Sequence, residues 1–105
     1  MTVVKLKTDG EGLSGFELKG HSSFDCDDVI GKTVCAAVSS AAIMAANTVE
    51  EVLKCSCKSE MRDGYLDFTV ARPTDAARAV LKGFELHING LCEQYGDRIR
   101  VITEV

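Results

Sequence analysis

The side chains best suited to bond-making chemistry are a cysteine and a histidine separated by a loop. Cys35 stands near the head of the apolar run VCAAVSSAAIMAAN, and His21 directly follows Gly20. A thiol attacks a carbonyl as its thiolate, and a thiol in the first turn of a helix meets the positive end of the helix dipole and unpaired backbone amides. The run predicts a helix from Val34 onward, which puts Cys35 in that turn and leaves the amide of Ala36 free to hold an oxyanion. His21 follows Gly20 at the end of a predicted strand and is expected to reach toward the cysteine as its general acid and base. Ser39 lies one helical turn beyond Cys35, where its hydroxyl meets either the thiolate or a helix carbonyl.

Between the two reactive residues, Gly20 to Thr33 holds three Asp, two Ser and two Gly without a sustained period, and reads as one long loop. Loops of that length in a small domain usually serve function, and this one, with Gly31 near its end, is expected to close over an extended substrate. Asp25, Asp27 and Asp28 are placed either to orient His21, to bind a cation weakly, or to keep the loop solvated. Phe24 either lines an apolar pocket or packs the loop down. His87, flanked by Leu86 and Ile88, reads as a packing residue.

Cys26, Cys55, Cys57 and Cys92 raise the question of a metal site. A Cys-x-Cys pair lacks the two- to four-residue gap of structural zinc sites, and alternate residues of a strand point the same way, here into the core. No metal and no cofactor is expected. Five cysteines, an odd number, in a chain with an adequate core also argue against a disulfide framework.

The elements that must position these groups follow from periodicity. Thr2 to Thr8 and Leu13 to Lys19 alternate around the turn residues DGEG and predict a hairpin. Val38, Ala41 or Ala42, Ala45, Val49 and Val52 or Leu53 recur every three or four residues on one helix face. Lys54 to Glu60 and Tyr65 to Ala71 form a second hairpin about Arg62-Asp63-Gly64. Pro73-Thr74-Asp75 starts a second helix that Gly96 ends, and Arg98 to Val105 is a last strand. The fold class is α+β, a two-helix sandwich on an antiparallel-rich sheet in the order ββαββαβ, with residues 1–105 as one domain.

Composition narrows the partners. The chain has 105 residues, 46% apolar and 27% charged, and a net charge of −4 without a basic run, so no direct nucleic-acid partner is expected. No stretch reads as a span of roughly 20 apolar residues, and the N-terminus lacks a signal-peptide core, so no membrane partner is expected and the location is taken as cytoplasmic.

Gly20-His21, the acidic loop ending at Gly31, then Val34-Cys35-Ala36-Ala37-Val38-Ser39 and the downstream Asn47 together resemble the Prp family of bacterial ribosomal-processing cysteine proteases. The resemblance covers essentially the whole chain. It implies a homodimeric protease that removes an N-terminal extension from a large-subunit ribosomal protein, cutting after an apolar, aromatic-containing stretch. It makes Cys35 the nucleophile and His21 the acid and base. Family members carry an acidic residue in a DIVC-like tetrapeptide, whereas Lys32 opens the matching Lys32-Thr33-Val34-Cys35. That departure leaves Asp27 or Asp28 to replace the carboxylate, and keeps open a second reading, a non-catalytic assembly factor that binds a ribosomal-protein tail.

Overall fold

The computed structural model describes residues 1–104. Strands β1 (Thr2–Thr8) and β2 (Leu13–Lys19) form the first hairpin. Helix α1 (Val29–Asn47) follows and runs directly into a π-helical turn, Thr48–Val52. Strands β3 (Cys57–Arg62) and β4 (Tyr65–Val70), helix α2 (Asp75–Gln94) and β5 (Ile99–Thr103) complete the order ββαββαβ expected from the sequence. The five strands make one sheet in the order β3-β4-β2-β1-β5, antiparallel except where β5 runs parallel to β1.

The period-2 strands divide their residues between two faces. Val4, Leu6, Phe16, Leu18, Leu66, Phe68, Val70 and Ile99 are buried with Val34, Val38, Ala42, Ala45 and Val49 of the first helical segment and Ala77, Leu81, Phe84 and Ile88 of α2. Phe16 lies at the centre, its ring 5.4 Å from Phe68 and 4.3 Å from Phe84. The opposite face carries charge, with Lys7 paired to Asp67 and bonded to Thr69. Thr74 caps α2 by accepting from the amide of Ala77 at 3.1 Å, and Asp75 occupies its first turn, where a carboxylate suits the helix dipole.

Three points differ from the sequence-based expectation. Helix α1 begins at Val29 rather than Val34, because the Asp28 side chain accepts from the amide of Gly31 and caps the helix there. The apolar pattern hides that turn, since Val29 and Ile30 are exposed. Strand β3 begins at Cys57 rather than Lys54, because the π-helical turn extends to Val52 and Lys54 takes a left-handed φ of 58°. The continuous helical stretch Val29–Val52 contains an 18-residue window of mean hydropathy 1.7 and is long and apolar enough to cross a bilayer by length and composition, contrary to the expectation of no such stretch. Here its apolar stripe packs on the sheet.

Candidate active site

Strand β2 ends at Lys19, and Gly20, with φ +88°, swings the chain so that His21 leaves the sheet edge. The N-terminal ammonium of Met1 donates to the His21 carbonyl at 2.6 Å and fixes the backbone at this point. From the helix side, Cys35 presents a half-buried thiol. His21 and Cys35 line one cavity of about 230 Å³ together with Gly20 and Ser39, on a floor of Leu18, Val38, Ile43, Met61 and Leu66. The fold therefore brings the two residues into a single cleft. Among the described residues no hydrogen bond joins the imidazole to the thiol. Instead the Cys35 sulfur accepts from the amide of Ser22 at 2.9 Å.

The helical context of Cys35 departs from expectation. With α1 starting at Val29, Cys35 is its seventh residue, beyond the first turn to which the dipole effect is confined. The amide of Ala36 is likewise engaged in the helix ladder, so it is no free oxyanion donor. The amide directed at the sulfur is that of Ser22, whose buried hydroxyl shares a hydrogen bond with Thr2 Oγ1 at 2.6 Å and donates to the Arg98 carbonyl at 3.1 Å. No motif marks this, because the contact joins a loop to the second turn of a helix.

The loop residues have other partners than His21. The Asp28 carboxylate accepts from the amides of Gly31 at 2.9 Å and Phe24 at 2.8 Å and pairs with Arg98 at 3.0 Å, its side chain 9% exposed. These amides, chiefly that of Gly31, and the guanidinium hold its carboxyl at about 2, below the ordinary carboxylate range. Asp28 thus builds the helix start and does not orient His21. Asp27 is exposed, and its amide donates to the Asp25 side chain at 2.8 Å. Phe24 lies under the Arg98 guanidinium, 4.6 Å from its ring centroid, and takes the packing role rather than a place in the cavity lining. Lys32 donates to the Cys26 carbonyl, tying the helix to the loop. Gly31 is buried where the loop crosses α1: a side-chain carbon there would meet Ser23 Cα at 2.5 Å and Ser22 O at 2.7 Å. Asn47 lies about one helical turn beyond Ile43, the last α1 residue lining the cavity.

The carboxylate beside His21 comes from the β3–β4 turn, where Asp63 Oδ2 stands 3.9 Å from the imidazole Nε2. Of the remaining cysteines, Cys57 donates to the Cys55 carbonyl at 3.4 Å, and burial, then the nearby Glu50 charge, push its thiol up from the ordinary range. Cys55 precedes β3 rather than lying on it.

A thiol and an imidazole line one cleft of this α+β domain, the two group types that nucleophilic thiol chemistry uses. A family model described as cysteine protease Prp matches residues 1–100, and the chain belongs to that family. Among solved structures, the ribosomal processing protease Prp of S. aureus aligns over 99% of this chain and 100% of its own at 18% identity. The TM-score is 0.86 for its complex with a covalently linked product peptide and 0.87 for its complex with a substrate peptide. SMU.848 from Streptococcus mutans aligns at 23% identity and TM-score 0.79 over 99% of this chain and 96% of its own. These likenesses carry the fold. No curated protein matches the chain.

Proposed function

We propose that this cysteine protease removes the N-terminal extension of a large-subunit ribosomal protein, with Cys35 as nucleophile and His21 as general acid and base. The observation that carries the reading is the shared cleft of the two side chains over an apolar floor. An extended peptide seats a large apolar side chain on Leu18, Ile43, Met61 and Leu66, which brings its carbonyl to the sulfur. His21 takes the thiol proton, the sulfur adds to the carbonyl carbon, and the proton passes to the leaving amine. The Ser22 amide, already directed at the sulfur, is the donor available to the developing oxyanion. Water activated by His21 then releases the acyl group.

The reading extends to a cytoplasmic homodimer. For the dimer, the support is the groove between α1 and α2, lined by Ala37, Ala41, Met44, Val80 and Phe84, with Met44 largely exposed.

The direct test is to incubate the protein with a peptide spanning a ribosomal-protein extension and its mature start, with product identified by mass. Cys35→Ala is expected to lower turnover by about a thousandfold or more. Equal cleavage by the variant and the parent would overturn the assignment of the nucleophile.

A further inference from the structure

Lys32, three residues before Cys35, is a cation bonded to the Cys26 carbonyl, and Asp28 is committed to two amides and Arg98. The imidazole nevertheless has an anionic neighbour, and the fold places it there through several contacts. Lys19 at the end of β2 pairs in register with Tyr65 at the start of β4, so Gly20-His21 leaves the sheet beside the turn Asp63-Gly64. The Gly20 amide donates to the Gly64 carbonyl at 2.9 Å and closes the two segments on each other. The imidazole packs on Gly64 itself: a side-chain carbon there would meet His21 Nε2 at 2.9 Å, and φ is +70°. Of the nearby cations, the Met1 ammonium is bonded to the His21 carbonyl, and Arg62, which lines the same cavity, is paired with Glu60 and lies over the Tyr65 ring. The Asp63 carboxylate, 3.9 Å from Nε2, is the anion beside the imidazole.

We propose that Asp63, carried on the β3–β4 turn, is the positioning residue for His21. It engages Nε2, leaves Nδ1 as the nitrogen that exchanges a proton with Cys35, and offsets the imidazolium formed when the thiol gives up its proton. The proton moves from sulfur to imidazole and on to the leaving amine, and Asp63 remains ionised throughout. The proposal rests on His21 being the general base.

The test is steady-state cleavage of the extension peptide by His21→Ala, Asp63→Asn and Asp63→Glu, at low and high salt. Asp63 is fully exposed, so both of its variants are expected to fold. The expected result is an inactive His21→Ala and a kcat about tenfold lower for Asp63→Asn at unchanged KM. Asp63→Glu recovers most of the loss, and the gap between parent and Asp63→Asn narrows as salt screens the exposed pair. If His21→Ala cleaves like the parent, the base assignment falls and takes this proposal with it. If His21→Ala is dead while Asp63→Asn keeps the parental kcat, only the role of Asp63 is overturned. A loss that glutamate does not restore and salt does not modulate marks a turn defect and also overturns it.

Discussion

A single hydrogen atom decides how the loop meets the nucleophile. Gly31 lies in the first turn of α1, where alanine would ordinarily gain up to about 1 kcal/mol in helix propensity. Here the added carbon would run into the Ser22 carbonyl and Ser23 Cα, backbone atoms that move only with the loop, and overpacking of this kind costs about 1–3 kcal/mol. The clash outweighs the propensity. Gly31→Ala is therefore expected to lower the unfolding free energy by about 1–2 kcal/mol in urea titration. It should also slow cleavage, because the displaced Ser22 amide is the one that points at the Cys35 sulfur. A variant as stable as the parent would show that the loop yields without cost. Sequence reasoning placed Gly31 in this region as a mobile loop residue. Its burial under the loop became visible only when residues 22 and 23 were seen crossing the helix.

At the scale of elements, the loop after β2 is held by α1 and by the residue before β5 together. Asp28 gathers the Phe24 and Gly31 amides, Arg98 reaches Asp28 and covers the Phe24 ring, and Ser22 bonds the Arg98 carbonyl. The carboxyl of Asp28 titrates at about 2 in the folded protein against 3.8 ordinarily, so the folded state holds the proton less tightly than the unfolded chain. A lowered value means that its stabilising contribution is complete above about pH 3.8 and is lost as pH falls through about 2. Asp28→Asn is expected to melt below the parent at pH 7, and the two melting curves should converge as pH is taken down through that window. Curves separated by a constant interval down to pH 2 would mean the ionised carboxylate is not what the loop depends on. The cap itself was within reach of the sequence, since Asp28 stands three residues before Gly31 and just ahead of Val29-Ile30. The exposed apolar pair Val29-Ile30 continues no buried stripe, so periodicity alone places the helix start five residues later, at Val34.

For the molecule as a whole, the sheet buries one face under both helices and leaves the outer side of α1 with little cover. Met44 and Val52 are exposed there, and Met44 borders the groove that α2 completes with Val80 and Phe84. A homodimer that covers this groove is expected to sediment at twice the 11.3 kDa of the chain. Met44→Glu would place a charge on the covered surface and shift the protein toward monomer. Sedimentation as a monomer at all accessible concentrations would remove the dimer from the proposed function.

Alternation of apolar and polar residues over six or seven positions, and recurrence every three or four, are local properties. They determined the order ββαββαβ and both hairpins before any coordinates, and Pro73-Thr74-Asp75 marked the start of the second helix. The pairing of Gly20-His21 with the run around Cys35 was likewise legible as a motif. Which residues surround those two was decided by tertiary structure alone. Ser22 lies against the sulfur, Asp63 beside the imidazole and Arg98 across Asp28 because strand register and helix packing join segments far apart in the chain. No local period encodes such a contact, since it arises only when the buried faces of separate elements close on one core.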